Sequence, residues 1–208
     1  MTTPHHSWTR VVIALICLTV AVNCGGGDDG GGSLGASFTA SGTAATPRLI
    51  KMVQHSKSGS HVSVDVVMYG PDTTLDLYTF AFDVLIGDPT VARFVPTSEV
   101  VGNALVPFAG QSVEAIADLG TLSGGGTDLS RVVVGVSKLG GGPGNGIAGA
   151  SAVVVRLTFA LQKAGSTTLT LGGIPSPQVL NSSGAPIGSI TYDAAAATVT
   201  GVSTGGGY

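Results

Sequence analysis

Charged residues are scarce in this chain, at 10% of its 208 positions. The nine lysines and arginines are scattered along the sequence, and the formal net charge is −3. Nucleic-acid binding needs a clustered basic patch, so the composition argues against DNA or RNA as a partner. Glutamate occurs only at Glu99 and Glu114. Because helix formers other than alanine and leucine are rare, a helical domain is not expected.

Cysteine and aromatic residues are also few. The two cysteines, Cys17 and Cys24, both lie near the start of the chain, so no disulfide can cross-link the rest. Trp8 is the only tryptophan. A module that grips crystalline polysaccharide needs a row of aromatic rings for sugars to stack on, and this chain offers few. A small glycan held by loop hydrogen bonds stays open, with Tyr69 and Tyr192 as its candidate contacts.

No catalytic constellation stands out, and the sequence predicts neither an enzyme nor a cofactor. No spacing singles out a pair of carboxylates for glycoside hydrolysis, and no Gly-x-Ser-x-Gly elbow is present. Histidine and cysteine are not clustered as zinc would require. Asp72, Thr74 and Asp76 could hold a structural calcium ion, although a solvated turn is the preferred interpretation. The glycine-rich stretch 140–149 lacks the Lys-Ser/Thr of a phosphate loop and is interpreted as a flexible loop.

Near its start the chain has one basic residue, Arg10, before an apolar run from Val11 to Val22 in which only Thr19 is polar. This run is shorter than the ~20 residues that span a bilayer and has the length of a signal-peptide core. Cys24 and the Gly/Asp string after it resemble the end of a bacterial lipoprotein signal. The resemblance implies cleavage before Cys24 and lipidation of its sulfur. An ordinary secretory signal with an incidental cysteine is the alternative.

This interpretation places the protein outside the cytoplasm, on the cell envelope, with its lipid as the only membrane attachment. Gly25 after the cysteine would suit outer-membrane sorting in a cell with two membranes. The predicted organisation is a signal peptide (1–23), a flexible tether (24–46), one folded domain (47–202) and a glycine-rich tail (203–208).

The folded domain shows the period-two alternation of β-strands. Val62, Val64, Val66 and Met68 share one face of a strand, and Tyr78 to Ile86 alternate in the same way. Further strands are predicted over 48–54, 91–95, 105–108, 113–118, 131–137, 153–161, 167–171, 178–180, 189–192 and 197–202. Many short strands separated by turn signals predict an all-β protein, an antiparallel sandwich with jelly-roll topology.

Three segments resemble a bacterial cohesin domain. Asp88-Pro89-Thr90-Val91 follows a long strand as in that family, although Gly87 replaces the family's aromatic residue. The long strand in 152–161 and the turn in 178–184 also match family motifs in order and spacing. The resemblance implies a sandwich of about nine strands. Because no Asp-x-Asp-x-Asn-Gly calcium loop is present, the chain could only be the partner of a dockerin and not a dockerin itself.

A cohesin recognises its protein partner, a dockerin, through the outward residues of one sheet. Carried onto this sequence, the resemblance implies a face formed by Asp83, Leu85, Glu114, Asp118, Arg131, Val133, Val154 and Arg156. Ordinary solvated positions of a half-buried sheet are the alternative interpretation of each residue. The sequence therefore predicts a protein-binding or scaffolding module, with glycan binding as the alternative.

Overall fold

Fourteen β-strands make up the regular structure that the computed structural model describes, over residues 33–96, 113–173 and 177–204. In chain order they are β1 Ser33–Thr39, β2 Leu49–Ser58, β3 His61–Tyr69, β4 Asp72–Leu77, β5 Thr79–Ile86, β6 Ala92–Phe94, β7 Val113–Thr121, β8 Thr127–Lys138, β9 Asn145–Ile147, β10 Ser151–Leu161, β11 Gly165–Gly172, β12 Gln178–Leu180, β13 Thr191–Tyr192 and β14 Ala197–Thr204. The count of about nine strands was wrong, while the all-β prediction is confirmed.

The strands form two main sheets and one small ribbon. The large sheet has the order β1-β14-β11-β5-β8-β7, with β12 also paired to β5. The small sheet has the order β13-β2-β3-β10-β6, and β4 pairs with β9. Every pair among the described strands is antiparallel except β13 with β2. The chain is therefore an antiparallel β-sandwich.

The core lies between the two main sheets. The alternating residues of β5 supply Phe80, Phe82, Val84 and Ile86, which are almost fully buried, as the pattern predicted. The small sheet faces them with the alternating valines of β3 and with Phe159, whose ring lies 6.1 Å from that of Phe94. The apolar faces meet because alternation places one face of each strand toward the opposite sheet.

Three strands, β1, β4 and β9, were not expected from the sequence; β4 contains Asp72, Thr74 and Asp76, for which a solvated turn was preferred. β1 lies inside the predicted tether 24–46 and pairs with β14 over Ser33–Thr39, so the tether prediction is wrong for those residues. β14 extends to Thr204, two residues into the predicted tail. β9 lies inside the glycine-rich stretch expected to be a flexible loop. Gly144, just before β9, and Gly146 within it permit the pairing, because a Cβ on either would lie within 2.6 Å of the β4 backbone.

Candidate interaction face

The outward side of the large sheet brings three predicted strands together. β5 pairs with β8 and β8 pairs with β7, so their outward residues form rows across the sheet. One row contains Asp83, Val133 and Asp118, and the next contains Leu85 and Arg131. We call this surface the β5–β8–β7 face. Five of the eight residues predicted for a partner-binding face therefore lie side by side.

Two other predicted residues lie elsewhere. Val154 and Arg156 belong to β10, which is in the small sheet, so their assignment to this face was wrong. Val154 is buried at a register shift in the pairing of β10 with β3, and Arg156 donates two hydrogen bonds to Asp65, from Nε at 2.7 Å and from Nη2 at 3.1 Å. The strand that adjoins β5 on its other side is β11. The side chain of Glu114 lies outside the described residues.

The face carries three exposed aliphatic side chains on a diagonal across three strands. Leu85 on β5 is 39% exposed, Val133 on β8 is 40% exposed and Ile116 on β7 is 57% exposed. Diagonal neighbours of this kind lie about 7–8 Å apart. Ile116 was not among the residues predicted for the face, although it stands at the period-two position between Glu114 and Asp118, both of which were predicted to point outward.

The charged residues of the face are arranged around this diagonal. Asp83 is buried, and its Oδ2 lies 3.6 Å from Nε of Arg131, which itself has no hydrogen-bond partner among the described residues. Gly120 makes room for the guanidinium group, since a Cβ there would lie 2.6 Å from that nitrogen. Asp118 is exposed and accepts a hydrogen bond from the N–H of Leu119 at 2.7 Å.

The other half of the same sheet surface is different in character. The outward residues of β1, β14 and β11 are mostly hydroxyl-bearing and carry no charge: Ser37, Thr39, Ser166, Thr168, Thr170, Thr198 and Thr200. Exposed aliphatic side chains are therefore concentrated on the β5–β8–β7 face, with Val202 on β14 as the exception on this half.

Comparison with solved structures identifies proteins with a similar fold. The two-module type II cohesin dyad from the adaptor scaffoldin ScaA of Acetivibrio cellulolyticus aligns with a TM-score of 0.51 and 14% identity, over 74% of this chain and 48% of that one. The chain has a cohesin-like fold. This likeness concerns the fold, and the chain spans about half the length of the dyad.

Two further structures from Acetivibrio cellulolyticus align with lower scores. A type II cohesin domain from the cellulosome has a TM-score of 0.47 and 12% identity, over 79% of this chain and 95% of that one. The sixth cohesin of scaffoldin B, crystallised with a Cel5 dockerin variant, has a TM-score of 0.44 and 15% identity, over 77% and 96%. By sequence, no protein-family model and no curated protein matches the chain.

The tyrosines considered for glycan contact do not form a platform in the cohesin-like module. Tyr192 packs against the core, with its ring 5.9 Å from that of Phe82, and burial raises the pKa of its hydroxyl. Tyr69 is half-buried at the end of β3, in the same sheet. Tyr78, expected in the core, is half-buried, and its hydroxyl donates to the carbonyl of Gly140.

The aspartates considered for calcium are bound to separate partners. Asp72 accepts hydrogen bonds from Thr74 and Arg48, while Asp76 accepts them from the hydroxyl and N–H of Ser182 and from the N–H of Gly144. Within the described ranges no group of three metal-ligating side chains occurs. Over the same ranges no helix has the length and apolar character to cross a bilayer. Cys24 lies outside the described residues.

Proposed function

We propose that this chain is a non-catalytic binding module that docks a protein partner, of dockerin-like type, through the β5–β8–β7 face. One observation carries the proposal: Leu85, Val133 and Ile116 form an exposed aliphatic diagonal across three neighbouring strands of the large sheet. The fold likeness to a cohesin dyad and the sequence resemblance both favour a protein as the partner.

The energetics of the face suit a protein interface. Burying an aliphatic side chain of this size contributes about 1.5–3 kcal/mol. Three such side chains, each about half covered already, could therefore supply several kcal/mol if a partner excluded water from them. The flanking charges of Asp83, Arg131 and Asp118 would then select among partners, because charges at an interface favour specificity more than affinity.

The test is a pull-down from the secreted and envelope fraction of the source organism, with the full chain as bait. Parallel baits carry Leu85→Asp or Val133→Asp, each of which places a carboxylate on the aliphatic diagonal. Val202→Asp is the matched control. Val202 is a 54% exposed aliphatic residue on the same sheet surface, but it lies on β14, away from the β5–β8–β7 face. We expect a protein with paired calcium loops, retained by the native and control baits and lost from the other two.

Retention of that partner by all four baits would remove the β5–β8–β7 face from the proposal. A bait that binds no protein but binds a glycan array would move the function to carbohydrate recognition.

We also propose that Cys24 is lipidated and that this lipid anchors the module to the cell envelope, outside the cytoplasm. The proposal is supported by the apolar run 11–22 and the Gly/Asp string that follows the cysteine. Metabolic labelling with a palmitate analogue should mark the native chain and leave Cys24→Ser unmarked. Labelling of neither chain would leave only an ordinary secretory signal, and equal labelling of both would show that the lipid is attached at a residue other than Cys24.

A further inference from the structure

A shallow trough crosses the β5–β8–β7 face beside the aliphatic diagonal. Its floor is formed by Ala81 on β5 and Gly135 on β8, which are register partners. Ile116, the register partner of Gly135 on β7, closes one end. Gly135 creates the depression, because a Cβ placed there would meet no heavy atom within 4 Å. The trough is therefore a gap in the side-chain layer above an otherwise continuous sheet.

The size of the trough restricts its occupant. Its volume is about 180 Å³, and its lining comes from Ala81, Gly135, Ile116 and their strand neighbours. Small-molecule sites usually enclose roughly 300–1,000 Å³, so this depression is too small for a typical metabolite. A single side chain from a docked protein has a suitable size.

On one side of the trough, the polar groups of the rim already have hydrogen-bond partners. Thr79 and Ser137 form the neighbouring row, and their hydroxyls are hydrogen-bonded to each other at 2.9 Å. An apolar occupant therefore strands neither hydroxyl without a partner, which is the usual penalty for covering polar groups. This chemistry favours an aliphatic side chain.

The charge beside the trough is negative. The row on its other side contains Asp83 and Asp118. Asp83 is paired with Arg131, whereas Asp118 is exposed and has no ion pair within the described part of the chain. A cation next to the occupant would meet this carboxylate, while an anion there would be repelled.

Building on the proposed function, we infer that the trough receives one leucine, isoleucine or methionine side chain of the protein partner, adjacent to a lysine or arginine. Gly135 is then the residue that determines this specificity. Anchor side chains that fill pockets dominate the energetics of many protein interfaces.

The experiment follows the backbone amide signal of Gly135 by NMR while the full chain is titrated with N-acetyl-leucyl-lysine amide. N-acetyl-seryl-lysine amide and N-acetyl-leucyl-aspartate amide are the comparison probes. We expect saturable shifts at Gly135 and Ala81 with the first probe. Binding of the serine probe should be about tenfold weaker or more, because it lacks the buried aliphatic group. The aspartate probe should also bind more weakly.

Gly135→Val separates binding from folding. The strand conformation at Gly135 accepts a β-branched residue, and the space above it is open, so the variant should fold normally. It should lose both the dipeptide and the protein partner. Gly35→Val on β1 is the matched control, since it adds the same side chain to the same sheet with only ordinary contacts.

No saturable shift at Gly135, or equal affinity for the three probes, would overturn the inference. It would also fail if Gly135→Val kept the partner that Leu85→Asp and Val133→Asp lose, and the proposed face would then stand without the trough. If Leu85→Asp and Val133→Asp keep the partner, the proposed function itself falls.

Discussion

Asp193 is a buried carboxylate that connects the segment after β1 to the segment before β14. It accepts hydrogen bonds from the hydroxyls of Ser41 and Thr43 and from the N–H of Ala195. Lys51, also buried, donates to the carbonyls of Ser41 and Thr43 at 2.8 and 2.5 Å. Burial opposes ionisation of Asp193, but the hydrogen bonds and the nearby lysine outweigh it and lower the pKa.

Asp193→Asn should therefore lower the free energy of unfolding by about 1–3 kcal/mol, since it removes a charged acceptor from a buried network. Urea unfolding followed by circular dichroism measures the change. Asp118→Asn is the control and should alter stability by less than about 0.5 kcal/mol, because Asp118 is exposed. Equal stability of both variants and the native chain would show that the Asp193 network is not stabilising.

The sequence did not indicate this network. Lys51 was counted only among the basic residues scattered along the sequence, and a single lysine in a strand is normally solvated. Its burial depends on the segment 40–43 lying across β2, and that segment has no periodic pattern. A contact between residues about 150 positions apart in sequence, such as Ser41 with Asp193, cannot be read from local residue types.

At the scale of elements, strands with strong alternation were predicted well and strands without it were missed. β3, β5 and β10 carry large apolar residues at period two, which fixes both the strand and its buried face. β1 has the sequence Ser-Leu-Gly-Ala-Ser-Phe-Thr, in which only Ala36 is fully buried. Its small residues looked like a linker, because propensity gives little information where packing against β14 decides the structure.

Ala36→Asp tests whether β1 belongs to the sandwich. A carboxylate at this buried position should destabilise the fold by several kcal/mol, because an unpaired charge would be buried. Thr39→Asp is the control at an exposed position of the same strand. Thermal unfolding of the two variants decides the question. Equal midpoints would restore the tether interpretation of residues 24–46.

The order of the strands across the large sheet could not be predicted from the sequence either. The face prediction combined β5, β7 and β8 correctly but added β10. Both β10 and β11 are strongly alternating strands, and periodicity does not state which of them pairs with β5. The pairing of Leu169 with Ile86 and of Leu171 with Val84 decides it in the structure. Individual strands were therefore predictable from the sequence, whereas the pairing of each strand with its neighbours was predictable only in part.

Among the residues that the structure describes, five aspartates have a pKa below the ordinary value of 3.8. In four of them the largest cause is a hydrogen bond from a nearby serine or threonine hydroxyl. The five are Asp72, Asp76, Asp88, Asp128 and Asp193. Because the folded protein favours their ionised form, their stabilisation is present in full above the unfolded pKa and is lost as the pH falls through the folded values.

The thermal unfolding midpoint should therefore drop as the pH is lowered below about 4, and these groups should cause no change in the midpoint between about pH 5 and 7, where their stabilisation is complete. Scanning calorimetry at fixed ionic strength measures the midpoint. Replacing one contributor, as in Asp88→Asn, should make the acid limb less steep. A midpoint that stays constant down to about pH 2 would contradict the assignment.

The pairing of β1 with β14 places Ser33 opposite Thr204, so the first and last residues of the described part of the chain lie next to each other. A tensile load applied between these ends would act across the strands and open their hydrogen bonds one after another, from the ends inward. A load that enters at Ser33 and leaves through a partner on the β5–β8–β7 face would instead pass through β14, β11 and β5 together. Mechanical resistance in this module therefore depends on where the force leaves the molecule.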